Sequence, residues 1–128
     1  MSDESDPLAW VEKAEEDYTL ARLALRHKPP LTYGACFHAQ QCAEKYLKAM
    51  LVAQRQLIPK VHDLLHLSGL CAKAGILFEI GAKDLNTLTD YGVRTRYPGE
   101  DPILEDAREA LKITQAVRRF ARQWLSVK

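Results

Sequence analysis

The fold is decided by the stretch TYGACFHAQQCAEKYLKAMLVAQ, residues 32–54. It contains no proline and a single glycine, Gly34, near its start, so a helix can run through all of it. Alanine and cysteine dominate its first half, and such small side chains let neighbouring helices approach closely. We therefore predict a helix at the centre of a bundle. Its polar side chains are expected on one side of that helix: Gln40, Gln41, Glu44, Lys45 and Lys48.

Four further helices are predicted around this central one. The first begins after Asp6, which can cap free amides, and Pro7, which the first helical position tolerates, and it ends near Lys28. The others are expected at about 62–75, 82–93 and 102–126. The chain is thus predicted to be a single all-α domain over 1–128, an up-and-down helical bundle of about five helices, with residues 1–6 flexible. On the first helix an apolar stripe is expected opposite four acidic residues: Glu12, Glu15, Glu16 and Asp17.

The composition excludes several classes of protein. A chain of 128 residues, 47% hydrophobic and 27% charged, is sized for one globular domain. Its formal net charge of +1 gives no global attraction to nucleic acid or to an anionic membrane, so any polyanion site must be local. Three cysteines fit no zinc spacing and are expected to be reduced. An acidic N-terminus and the lack of a long apolar run predict a cytoplasmic protein without a membrane segment.

The last predicted helix has two apolar faces, which is more than the edge of a bundle needs. One face is expected to pack on the other helices, and the second either meets another copy of the chain or lies deeper in the same core. The two interpretations carry equal weight. If a homodimer forms through this helix, its interface residues are Ile113, Val117, Phe120 and Trp124.

The sharpest local cluster of charge is the segment Arg94-Thr95-Arg96-Tyr97, which precedes a Pro-Gly turn. Two guanidinium groups at the mouth of a loop can hold a phosphate while a tyrosine stacks or donates a hydrogen bond. The alternative is an ordinary loop whose arginines pair with nearby acidic residues. Lysines of the central helix could extend a phosphate site, although such lysines more often form a solvated face.

The histidines do not indicate a metal site. His62 and His66 lie one turn apart, but the sequence between them lacks the glutamate of zinc proteases, and no third ligand is evident. We expect His62 to order the connector after Pro59, with Asp63 at the start of a helix. No catalytic triad, phosphate-binding glycine loop or paired carboxylate acid and base is recognisable, and no cofactor is expected.

Three segments resemble the HEPN domain family (higher eukaryotes and prokaryotes nucleotide-binding). They are residues 37–49, FHAQQCAEKYLKA, the connector 59–64, PKVHDL, and the segment 96–98, RYP. The resemblance covers nearly the whole chain and implies a helical bundle that dimerises. It also implies a partner, since many small members are encoded beside a minimal nucleotidyltransferase in modules of toxin–antitoxin type. Members of the wider superfamily are metal-independent ribonucleases with an Arg-x4–6-His motif near the last helix.

The chain departs from the family at that motif, because no histidine follows Arg94 or Arg96 at the required spacing. The best remaining match, Arg55 with His62, lies in a connector. Losing a catalytic group costs about 10²–10⁴-fold in rate, so the departure favours binding over cleavage.

Three hypotheses result from this departure. The first is a nucleotide- or RNA-phosphate-binding protein, the non-catalytic partner of a minimal nucleotidyltransferase. The second is a ribonuclease toxin that uses Arg55 and His62, and the third is a structural dimer that recruits a partner protein. The binding residues of the first would be Arg94, Arg96, Tyr97, Lys45 and Gln41.

Overall fold

The protein is a bundle of five α-helices, seen in a computed structural model that describes residues 4–94 and 97–128, with residue 94 described in its backbone alone. No strand occurs in these residues. The all-α prediction is therefore confirmed. The helices are α1 (Pro7–Arg26), α2 (Thr32–Ala53), α3 (Leu64–Lys73), α4 (Ala82–Arg94) and α5 (Leu104–Leu125).

Local signals explain where the helices begin and end. The side chain of Asp6 accepts a hydrogen bond from the backbone N–H of Leu8 and so caps α1. Asp63 does the same for α3, accepting from the N–H groups of Leu65 and His66 at 2.9 and 3.2 Å. The helix α3 stops before Gly75, whose φ of +90° is the left-handed conformation that glycine adopts freely. The predicted boundaries agree with the observed ones to within two residues.

The central helix of the bundle is α2, as predicted, and it contacts each of the other four helices. Its inward side chains are fully buried and mostly small in the first half, which lets α1 lie close along it. Larger side chains such as Tyr46, Leu47 and Met50 fill the second half of the core. The three cysteines are free and buried.

One prediction about α1 is wrong. Asp17 was expected among the solvated acidic residues, but it is only 6% exposed and faces α2. Glu15 is also partly buried and bonds to side chains of α2 and α5. Both carboxylates can be buried because hydrogen-bond donors on neighbouring helices replace the water that they lose. Two of the four acidic residues of α1 therefore make interior contacts, whereas Glu12 and Glu16 are exposed.

Candidate functional site

The polar side of α2 is the strongest candidate for a functional site, because buried contacts hold its side chains in place. We call it the α2 polar strip and define it by eight residues: Asp17, His38, Gln40, Gln41, Glu44, Lys45, Lys48 and His62. Gln40, Glu44 and Lys48 are buried, at 3%, 4% and 6% exposure. The expectation of a solvated face is thus wrong for Lys48. A charged group leaves water only when partners replace it, so the partner geometry defines this site.

One edge of the α2 polar strip is an Asp–His–Lys cluster between α1 and α2. The two carboxylate oxygens of Asp17 lie 2.8 Å from Nδ1 of His38 and 2.5 Å from Nζ of Lys45. A carboxylate only accepts hydrogen bonds, so Nδ1 of His38 is the donor in this pair. The imidazole is therefore fixed in one orientation, and Phe37 packs edge-on against its ring at 5.2 Å.

The other edge is built around the buried carboxylate of Glu44. Its oxygens lie 3.0 Å from Nζ of Lys48 and 2.9 Å from Nδ1 of His62. Gln40 donates to the backbone carbonyl of His62 at 3.1 Å, and Gln41 donates to the side-chain oxygen of Gln40 at 2.9 Å. His62 is therefore tied to α2 through both its backbone and its ring. This confirms the expectation that His62 orders the connector.

The carboxyl end of α4 crosses α2 at this strip. A Cβ atom on Gly92 would lie 2.7 Å from Cγ of Gln40, closer than real side chains approach. Glycine is therefore required for this crossing. The last turn of α4, which contains Gly92, therefore lies directly against Gln40 of the strip.

This arrangement presents polar groups that are oriented before any ligand arrives. His38 and His62 each place Nδ1 on a buried carboxylate, and no described residue bonds to Nε2 of either ring. Nε2 can therefore donate a hydrogen bond when the ring is charged and accept one when it is neutral. Gln41 lies between the two edges and is partly exposed. Each carboxylate also has a lysine partner, so the strip carries no uncompensated negative charge to repel an anion. Such a surface suits binding of a phosphate or transfer of a proton.

The predicted phosphate-binding residues are only partly within the described structure. Gln41 belongs to the α2 polar strip, and Lys45 is there too but pairs with Asp17. Tyr97 is 65% exposed, and its carbonyl accepts a hydrogen bond from the N–H of Glu100 in the turn before α5. The side chain of Arg94 and all of Arg96 lie outside the described residues.

The alternative catalytic pair is not brought together. Arg55 lies two residues after the last residue of α2 and has the left-handed conformation, with φ of 57°. It borders a cavity with Glu4 and Leu57. His62 pairs instead with Glu44. In the described part of the chain no hydrogen bond or ion pair joins Arg55 to His62.

A second polar network links α1 and α5, and sequence analysis missed it. Glu15 accepts from Nε and Nη2 of Arg118 at 2.7 and 2.9 Å and from the hydroxyl of Tyr46. Arg122 donates to the same hydroxyl at 3.1 Å. Burial alone raises the pKa of Glu15, but the hydrogen bonds and the positive charges of both arginines outweigh burial and hold it below its ordinary value. Burial and the bond to Glu15 raise the pKa of Tyr46.

The predicted dimer residues divide into two pairs. Ile113 and Val117 are buried in the core of the single chain, at 6% and 0% exposure, so their side chains are not available to a second copy. Phe120 and Trp124 are partly buried against that core. Phe120 packs edge-on against Phe78 at 5.0 Å. The burial of these side chains within one chain says nothing about a second copy, so the homodimer stays a prediction.

Neither a metal cluster nor a membrane span is found in the described residues. His66 is exposed and belongs to no group of three or more potential ligands there. None of the helices described is both long enough and apolar enough to cross a bilayer.

Comparison with known proteins gives one family. The family model of the HEPN domain matches residues 8–124. A relative from Methanocaldococcus jannaschii, named "Putative toxin MJ1304", is 27% identical, covering 93% of this chain and 88% of its own. The crystal structure of TT1696 from Thermus thermophilus has a TM-score of 0.75 and 26% identity, over 91% of this chain and 96% of the other. ST0689, an archaeal HEPN homologue, has a TM-score of 0.67 and 24% identity, over 96% and 98%.

Proposed function

Because the chain belongs to the HEPN domain family, we propose that it binds a nucleotide or an RNA phosphate as the non-catalytic partner of a minimal nucleotidyltransferase. The two proteins would form a module of toxin–antitoxin type. The M. jannaschii relative is named a toxin, which supports a toxin-like setting. The missing Arg-x4–6-His motif supports the non-catalytic role, because neither Arg94 nor Arg96 has a histidine at that spacing.

The observation that carries this proposal is the α2 polar strip beside the end of α4. His38 and His62 are held by Asp17 and Glu44, so both imidazoles are already oriented, with Gln41 between them. Preorganised donors bind more tightly because little side-chain freedom is lost on binding. The lysines and carboxylates of the strip neutralise each other in ion pairs. We therefore assign to Arg94 and Arg96 the positive charge that phosphate binding requires.

The test is calorimetric titration of nuclease-free protein with ATP, GTP, AMP and a short RNA. The variants are Gln41→Ala and Arg96→Ala, and Gln56→Ala is the control because it removes an amide from the exposed connector after α2. We expect saturable binding that falls about tenfold in each site variant, the loss of one charge-assisted hydrogen bond or more. An unchanged affinity in both site variants would contradict the proposal.

The partnership needs its own measurement. Co-expression with a minimal nucleotidyltransferase from the same genome should yield a complex that survives size-exclusion chromatography. If the two proteins elute separately at concentrations where each is folded, the partnership is wrong while nucleotide binding still stands.

One observation favours ribonuclease activity as a second candidate. The Nδ1 atom of His62 is fixed by Glu44 while its side chain is 63% exposed, which leaves Nε2 open to solvent as a potential general base. Arg55 has no comparable support. His62→Ala should then abolish RNA cleavage in the presence of EDTA, whereas His66→Ala, an exposed histidine one turn away, should not. Equal cleavage by both variants would exclude His62 from catalysis.

A homodimer through α5 is also proposed, with the contact restricted to Phe120, Trp124 and the exposed surface beside them. Ala116 is exposed and shares a shallow cavity of about 280 Å³ with Phe120. A second copy could cover this surface without disturbing the buried Ile113 and Val117.

A further inference from the structure

A polar cavity lies between α1 and α5 and is built from residues outside the α2 polar strip. It has a volume of about 560 Å³. We call it the α5 arginine cavity. It is lined by Arg118, Arg119, Arg122, Gln115, Gln123 and Tyr18, together with Val127. Neither the HEPN assignment nor the proposed nucleotide site accounts for this concentration of guanidinium and amide groups.

Two of the three arginines are fixed before any ligand binds. Arg118 donates two N–H groups to Glu15, and its guanidinium carbon lies 4.4 Å from the ring centre of Tyr18. Arg122 donates to Tyr46 and lies 3.6 Å from Glu15. A guanidinium has five N–H donors, so Arg118 keeps three for a ligand. Holding these side chains in place reduces the entropy that binding would otherwise cost.

The third arginine supplies a free positive charge. Arg119 is exposed, and the described residues provide no hydrogen bond or ion pair to its guanidinium. No acidic side chain is among the described residues that line the cavity. Glu15 pairs with Arg118 and Arg122, and Glu79 lines a neighbouring cavity together with Arg119. Three arginines therefore outnumber two carboxylates at this site, which leaves an excess of positive charge. An anion is the ligand that such a site favours.

We infer that the α5 arginine cavity binds the phosphodiester backbone of single-stranded nucleic acid. Guanidinium forks bind phosphate oxygens in pairs, and amide side chains donate to the same oxygens or to sugars. From Gln115 to Gln123 the donors extend about 12 Å along the helix, more than a single phosphate covers. Arg118 and Arg22 both lie over the ring of Tyr18, at 4.4 and 5.6 Å, so that ring supports the arginines. Contacts of this kind carry no base-specific information, and binding is independent of sequence.

Binding at this cavity does not require the α2 polar strip. The experiment measures fluorescence anisotropy of labelled RNA and DNA strands of about 15 nucleotides, a length that covers one small binding domain. The variants are Arg119→Ala and Gln123→Ala. Arg108→Ala is the matched control, because Arg108 is an exposed arginine on α5 that lies about 16 Å from Arg119 along the helix axis.

We expect Arg119→Ala to weaken binding of both strands about tenfold and Arg108→Ala to leave it within about twofold. The slope of log K against log salt should also fall by about 0.7 in Arg119→Ala, the contribution of one contact to a single strand. ATP titration separates this inference from the proposed function, because Arg119→Ala should retain the affinity for ATP while its affinity for both strands falls.

Three results would overturn the inference. In the first, the wild-type protein binds neither strand. If it still binds ATP, the proposed function stands and this inference is wrong. In the second, Arg119→Ala and Arg108→Ala weaken binding equally, which indicates a diffuse surface charge. In the third, Arg119→Ala changes the mass in solution with no loss of strand binding, which makes the cavity a contact between proteins.

Discussion

Replacing Glu44 by glutamine should destabilise the protein by about 3 kcal/mol, the lower end of the cost of breaking a buried ion pair. The side chains of Glu44 and Lys48 are 5% and 7% exposed, and their charged atoms lie 3.0 Å apart. Glutamine keeps the shape and one hydrogen bond but leaves the ammonium without an opposite charge. Trp10, whose ring centre lies 5.8 Å from that ammonium, compensates in part. We therefore choose the lower end of the range.

Urea unfolding followed by circular dichroism measures this change. With a slope of about 1.5 kcal/mol per molar, the midpoint should fall by about 2 M. Glu105→Gln is the matched control, since Glu105 pairs with Arg108 in an exposed contact worth at most about 1 kcal/mol. Lys48→Met and the double variant complete the cycle, and the double variant should lose clearly less than the sum of the single ones. A shift no larger than that of Glu105→Gln, or simple additivity, would refute a buried pair.

Three further predictions concern pH, thiols and assembly. The pKa of Glu15 in the folded protein lies below its ordinary 4.5, so its stabilising contribution is complete above pH 4.5 and is lost as pH falls through the folded pKa. The free energy of unfolding should therefore fall less steeply with decreasing pH in Glu15→Gln than in the wild-type protein. Identical curves would contradict this. Burial is the main cause that raises the pKa of each cysteine thiol to about 12. All three thiols should therefore react with a disulfide reagent at pH 8 only after denaturation. A fast reaction of the thiols in the native protein would disprove their burial. Ala116→Arg adds charge to an exposed position of the proposed interface and should halve the mass measured by light scattering, whereas an unchanged dimeric mass would place the interface elsewhere.

The positions of the helices could be predicted because the signals are local. Asp6, Asp63 and Gly75 act on the backbone within a few residues, and each lies at the helix end that it predicts. The central place of α2 was also predictable, since alanine and cysteine in its first half favour close contact with neighbours. The network on α2 was harder to predict from the sequence, because a lysine or glutamate on the polar side of a helix is solvated unless another helix provides a partner.

Asp17 shows that part of this information was present in the sequence. It follows Ala14 by three residues and precedes Ala21 by four, so it lies on the rows that carry the buried side of α1. A carboxylate on such a row requires donors from a neighbouring helix, which His38 and Lys45 provide. Their identity could not be predicted, because it depends on the register of α1 against α2. Glu15 and Arg118 are 103 residues apart, and no local pattern connects them.

The central position of α2 links the stability of the bundle to the geometry of its candidate site. Glu44 compensates the charge of buried Lys48 and orients His62, so one carboxylate serves both the core and the surface. The backbone carbonyl of His62 is bound by Gln40, which also contacts Gly92 where α4 crosses. The connector, the end of α4 and the strip are therefore positioned by the same few contacts. A ligand held by Gln41 and His62 would stabilise these contacts together. Ligand binding should therefore raise the free energy of unfolding, by an amount that follows the occupancy of the site.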